Sequence, residues 1–217
     1  REFGVDAEIL IDHAWGIESC GMKEINAYQP ETNSICEGQV LSCPYDHEKT
    51  RLIVQEMTDS LVYQLMDKGL VTDGLTLDIG YDRENCDKGG YRDPVHIDRY
   101  GRTLPKPAHG SVRLESATNL GSQLQAATAA LFDRIADPKL TVRRLTLTAN
   151  RVVKDPGIFQ TNFFTDAARL EKEKSLQEAM LGLKKRFGKN TVLKGSNYLE
   201  GATMRDRNGR IGGHKAE

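Results

Sequence analysis

The sequence predicts an α+β fold: a split βαβ-βαβ, four-stranded antiparallel sheet with two helices on one face. An N-terminal helical segment precedes it, and a C-terminal helix and tail follow. Three observations predict it. Two amphipathic helical patterns are each bracketed by period-two stretches, in the order strand, helix, strand, strand, helix, strand. Each helical pattern carries one apolar stripe to pack on the sheet, and the split βαβ order sets both helices on one face and leaves the other free. The last strand pattern, residues 140–154, LTVRRLTLTANRVVK, is not uniformly apolar on either side and contains two adjacent arginines.

The elements follow in order. Residues 5–15 read as a helix, with Asp6 able to cap it and Gly16 ending it. Residues 22–27 read as a further helical turn, and 28–34, YQPETNS, as a linker. A first strand is expected at 34–43, with Gly38 marking a bulge or an edge. Asp46 then caps a long helix whose stripe is Ile53, Met57, Leu61 and Leu65, ending at Lys68-Gly69. The second strand is 74–82, with Leu75, Leu77, Ile79 and Tyr81 on one side. Residues 83–107 are turn-rich and read as a surface excursion, with a short hairpin around 95–100. The third strand is 109–118. The next helix opens on a Ser122–Gln125 capping box and buries Leu124, Leu131, Phe132 and Ile135, and Asp137-Pro138 stops it. Alternation through 140–154 sets Thr141, Arg143, Leu145, Leu147 and Ala149 against Val142, Arg144, Thr146, Thr148 and Asn150. Beyond Pro156-Gly157 lie three aromatics in IFQTNFFTD, then a helix at 167–187 with Leu176, Met180, Leu183 and Phe187 on one face. A Gly-rich basic tail from 190 is expected to be mobile at its end unless docked.

Composition narrows the function. The net charge of −1 gives no global signal for nucleic acid, but the charge is unevenly placed. Residues 140–217 hold 16 Lys+Arg and 8 Asp+Glu, net +8, so residues 1–139 carry net −9. This bias suggests an anionic partner for the C-terminal part. Cys20, Cys36, Cys43 and Cys86 form no C-x-x-C and no ligand pattern with the histidines, so ordinary thiols are expected and no zinc site. No apolar run approaches the roughly 20 residues of a membrane span, and no signal peptide is visible. A chain beginning with Arg reads as a piece of something longer.

Arginines and hydroxyls on a free sheet face suit a polyanion held by its phosphates with little sequence readout. Arg113 and Arg143 or Arg144 are the candidate cations, and alternation favours Arg144. A catalytic alternative is a metal-binding cluster of Asp78 and Asp82 with Glu84, Asp87 and Asp93. These acids read better as solvated loop residues. A second candidate contact is Phe159–Phe164, FQTNFF, in which a glutamine and two aromatics can fill a groove on a partner.

Together these segments resemble a known family. HGSVRLESATN, then a helix, then TVRRLTLTANRVVKD, then FQTNFF, is similar to the C-terminal part of a Y-family, UmuC/DinB-like translesion DNA polymerase. The resemblance covers nearly the whole chain. It implies the end of the thumb at residues 1–30, a DNA-binding little finger domain at 34–155, a clamp-binding peptide at 156–165, and a C-terminal helix and basic tail at 166–217. It implies sequence-independent contact with template–primer DNA through Ser111, Arg113, Arg143 and Arg144, to which alternation adds Thr146 and Thr148 in phase with Arg144. As the last strand of the sheet, 140–154 is then the candidate for its DNA-facing edge. It places Gln160, Phe163 and Phe164 where the family often carries a sliding-clamp motif, from which Thr161 and Phe163 depart. The resemblance implies error-prone DNA repair in an SOS response, in the cytoplasm at the nucleoid, with no membrane partner. No catalytic residue, metal or cofactor is expected in these residues, which should be inactive alone. The parent polymerase would use Mg2+.

Overall fold

The computed structural model describes residues 7–18, 20–28, 33–87, 91–98, 100–157, 167–211 and 214–215. The chain divides into two compact units, residues 1–32 and 33–217. The first holds α1 (Ala7–Ala14) and α2 (Met22–Ala27). Gly16 follows α1 at φ +72°, the left-handed conformation that a side chain disfavours.

The second unit runs β1 (Ile35–Tyr45), α3 (His47–Asp67), β2 (Leu70–Tyr81), α4 (Glu84–Asp87), β3 (Val95–Ile97) and β4 (Thr103–Pro105). It continues with β5 (Ala108–Thr118), α5 (Gly121–Ile135), β6 (Val142–Asn150), β7 (Val153–Lys154) and α6 (Ala167–Phe187). A 3-10 turn at Gly195–Tyr198 leads to α7 (Met204–Asn208), then β8 (Arg210–Ile211) and β9 (His214–Lys215). The main sheet has the order β1-β6-β2-β5, every neighbouring pair antiparallel. The α3 crossover therefore passes over β6, and the α5 crossover passes over β2. This is the split βαβ arrangement, and the α+β class expected from the sequence holds.

The core lies between the sheet and its helices. Leu75, Leu77, Ile79, Leu145, Leu147 and Ala149 face Ile53, Met57, Leu61 and Leu65 of α3 and Leu124, Leu131 and Phe132 of α5, all fully buried. Each large side chain so buried contributes about 1.5–3 kcal/mol of transfer free energy. Asp46 caps α3 by accepting from the Lys49 amide at 2.8 Å, and Gly69 ends it at φ +62°.

Three expectations are corrected, and the docking of the tail, left open by the sequence, is decided. The capping box at Ser122 does not form. Leu120 is the N-cap, without a side-chain bond, and Gln125 turns instead to the Gln55 carbonyl and Asp59. The amides that a cap would serve are taken by α6. Gln177 accepts from Gly121 N at 3.1 Å, and Glu173 accepts from Ser122 N and Oγ, both at 2.7 Å. Accordingly α6 meets the rest of the unit through Glu173, Gln177 and Lys184, and of the expected stripe Met180 lies against Tyr63. Leu176, Leu183 and Phe187 are exposed. The helix needed polar side chains inward to serve the open end of α5, so hydrophobic periodicity misjudged its inner face.

The tail docks through residue 210. Lys194 Nζ reaches Asp59 at 2.7 Å, and Asn197, Thr203 and Met204 converge on Glu56 of α3. Finally, alternation fails at the start of β6. Gly80 pairs with Arg144 but Tyr81 pairs with Val142, so Arg143 is the extra residue of an irregularity. Val142 is thereby buried with Leu145 instead of sharing the Arg144 face. At the other end Arg151, at φ +49°, closes β6, and β7 turns off to pair with the start of β2. Among the described residues no helix is long and apolar enough to cross a membrane.

Candidate nucleic-acid interface

The sheet face away from α3 and α5 is a polar lattice fixed by the register. Gly38, Thr146, Asp78 and His109 lie opposite one another across β1, β6, β2 and β5. The next row is Cys36, Thr148, Thr76 and Ser111, and beyond it come Asn150, Gly74 and Arg113. In the other direction the row is Val40, Arg144 and Gly80. The pleat alone produces this: every second residue of these strands is in the core, so the intervening ones must share the outer face.

The predicted contacts fall into two groups. Arg144, Thr146, Thr148, Ser111 and Arg113 all lie on this face, so the sequence order brought them together. Arg144 is exposed and, among the described residues, has no ion-pair partner. Gly80 beside it leaves room, since a Cβ there would come 3.2 Å from Cβ of Arg144. Arg143 stands at the irregularity, 3.8 Å from Asp82. Arg113 is not a free cation: its Nε is 3.5 Å from Asp73, which also holds Arg151 at 2.7 Å. Arg151 lies across Gly74, where an added Cβ would come 2.5 Å from the guanidinium. Arg151 was not among the candidates from the sequence. It follows the strand proper, and only the left-handed turn returns its side chain over the sheet.

Two further expectations change with the geometry. β6 is an interior strand, not an edge, and it is hydrogen-bonded on both sides. Its amides are committed to the ladders, so only side chains can meet a ligand there. Part of the positive charge of residues 140–217 is engaged elsewhere. Lys185 pairs with Asp67, Lys194 with Asp59 and Arg207 with Glu37, all on the helix side of the sheet. The charge asymmetry is thus in part an internal match between the C-terminal segment and the acids of β1 and α3.

Four of the five candidate catalytic acids are engaged among the described residues, Glu84 with Thr141 Oγ1 and Asp87 with Arg83 among them. Asp78 Oδ1 lies 2.6 Å from His109 Nδ1, and Asp82 Oδ1 accepts from the Glu84 amide at 2.9 Å. Among the described residues no group of three or more His, Cys, Asp or Glu could hold a metal ion. Gln160, Phe163 and Phe164 lie outside the described residues.

An antiparallel split βαβ sheet with a bare polar face defines the α+β class of this domain, and comparison with known proteins narrows it. No protein-family model matches the chain. UvrX of Bacillus subtilis (strain 168), named for UV-damage repair, is 23% identical over 218 residues, covering 100% of this chain and 46% of the relative. DNA polymerase IV 2 of the same organism is 24% identical over 223 residues, covering 99% and 46%. DNA polymerase IV 2 of Halalkalibacterium halodurans is 27% identical over 110 residues, covering 51% and 26%. The chain spans about half the length of the first two relatives. Among solved structures, a post-insertion binary complex of Dbh DNA polymerase aligns with a TM-score of 0.31 at 12% identity, over 69% of this chain and 36% of that one. The chain is therefore similar, across its whole length, to Y-family DNA polymerases of the DNA polymerase IV and UvrX kind.

Proposed function

We propose that the outer sheet face binds duplex DNA by its phosphates, as the little finger of a Y-family polymerase acting in damage bypass. The observation that carries it is the lattice itself: Arg144 without a carboxylate partner among the described residues, flanked by Thr146, Thr148, Thr76 and Ser111 at hydrogen-bonding height. Hydroxyls and guanidinium groups on a repeat of strand spacing meet phosphate oxygens without reading bases. Gly38 and Gly80 lower the surface so that a strand can approach. Binding is then indifferent to sequence and steeply salt-dependent.

Fluorescence anisotropy with a labelled duplex tests this. Arg144→Ala is expected to weaken binding equally on unrelated sequences and to lower the slope of log K against log salt by about 0.9. Full-strength binding by Arg144→Ala, or no binding by the unaltered chain at low salt, would end the proposal.

Two finer parts rest on the sequence resemblance. Gln160, Phe163 and Phe164 are proposed to dock on a sliding clamp, and a clamp pull-down undiminished by Phe163→Ala with Phe164→Ala would remove that role. Mg2+-dependent nucleotidyl transfer is proposed only for a longer protein containing this chain. Carboxylates on strand ends in the sequence upstream of Arg1 are the observation that tests it.

A further inference from the structure

The excursion between β2 and β5 returns to the sheet. The β3–β4 hairpin, registered Val95 to Pro105 and Ile97 to Thr103, stands beside the outer face. Between it and the strands lies a cleft of about 620 Å³, whose lining includes His96, Asp98, Arg102, Arg143, Arg144 and Thr146. A second depression of about 330 Å³ adjoins it and shares Tyr81, Arg102, Leu104 and Arg143, continuing to Pro44 and Arg83 at the strand ends. Together they form a trough that runs from the end of the sheet to its middle, one wall made by the hairpin and the other by β6.

The charges in the trough are asymmetric in availability. Asp98 is saturated: it takes Arg102 at 2.6 Å and the amides of Tyr100 and Arg102 at 2.9 and 3.0 Å. Asp82 accepts from Glu84 N and faces Arg143, and Asp78 is bonded to His109. The acids thus each have donors, whereas Arg144 has no carboxylate among the described residues. His96 engages the Pro105 carbonyl through Nδ1 at 3.1 Å, so Nε2 is its remaining polar atom. Arg102 on the hairpin side and Arg143 and Arg144 on the sheet side, with Leu104 and Val40 between them as apolar atoms, suit a sugar-phosphate strand: the sugars meet the apolar atoms and the phosphates meet the guanidinium groups, Arg144 first because it has no carboxylate of its own among the described residues.

We infer that the hairpin is the second wall of the nucleic-acid site, and that one DNA strand threads the trough between His96-Arg102 and Arg143-Arg144. The inference rests on the sheet face being the DNA-binding surface, and it adds a segment that turns a flat contact into a groove.

The test uses the full chain with a labelled duplex of about 20 base pairs carrying a single-stranded overhang. His96→Glu places a carboxylate in the trough while leaving every arginine in place. It is expected to weaken binding about tenfold at low salt, with thermal unfolding unchanged. Benzoylphenylalanine in place of His96 is expected to cross-link to the DNA on irradiation. Normal binding by His96→Glu with no cross-link, while Arg144→Ala still weakens binding, would overturn the inference and leave the sheet contact standing. Normal binding by Arg144→Ala as well would overturn both.

Discussion

Truncating Glu56 to Ala should release the tail from α3. Glu56 is 1% exposed, in the middle of α3, and its carboxylate receives four bonds from residues far along the chain. Oε1 accepts from Asn197 Nδ2 at 2.9 Å, and Oε2 accepts from Thr203 N at 2.8 Å, Thr203 Oγ1 at 3.1 Å and Met204 N at 3.0 Å. In Glu56→Ala all of these donors lose their acceptor at once. A buried donor without a partner costs about 1–3 kcal/mol, and breaking a buried charged network typically costs about 3–5 kcal/mol in all. The tail has an escape that a core residue lacks: it can lift off and return its donors to water. The loss is therefore capped by the free energy that holds the tail down, and the damage is local. Amide hydrogen exchange is the suitable assay. A docking loss of about 3 kcal/mol corresponds to exchange at Thr203 and Met204 faster by about two orders of magnitude. Amides of β2 and β6 should be nearly unaffected. Unchanged exchange at Thr203 and Met204, or equal loss of protection throughout the sheet, would refute the reasoning.

Other outcomes follow from the same geometry. Gly110→Ala should lower stability by about 1–3 kcal/mol, since its Cβ would meet Ile135 Cγ2 at 2.7 Å and Leu131 Cδ1 at 3.0 Å; a urea titration measures this. Leu147→Ala, in the fully buried centre of β6, should cost about 2–5 kcal/mol and lower Tm accordingly. Burial pushes the Glu37 carboxyl above its ordinary value of 4.5, against hydrogen bonds from Ser60 and Gln64 and the charge of Arg207. Its proton is held more tightly in the folded chain, so its stabilising effect is full below pH 4.5 and is lost as pH rises through the raised folded value. The stability of the native chain relative to Glu37→Gln should thus fall with rising pH in that window, by at most about 1.4 kcal/mol per pH unit. A flat difference would contradict the assignment.

The sheet and its core were legible because they depend on short-range periodicity. Ile53, Met57, Leu61 and Leu65 recur at helical spacing, and Leu75, Leu77 and Ile79 at strand spacing. Burial of one face then follows whatever the neighbours are. Asp46 as a cap and Gly69 as a terminator were legible for the same reason, since each acts within one turn of its own helix. The outer-face residues Arg144, Thr146, Thr148, Ser111 and Arg113 came out together because the pleat leaves them no other side.

What the tertiary structure alone decided involves partners distant in sequence. The order β1-β6-β2-β5 made the arginine-bearing strand interior, which commits its amides and leaves only side chains for a ligand. Irregular pairing at Arg143 put Val142 in the core, and strict alternation contains no term for an extra residue. Glu173 and Gln177 serve the α5 terminus from more than 50 residues away, which displaces the capping box that Ser122 and Gln125 suggested. The basic C-terminal bias, which by composition pointed to an anionic partner, is partly met by Glu37, Asp59 and Asp67 within the same chain. Composition counts charges but does not say which of them already face each other, and that depends on how the chain folds back on itself.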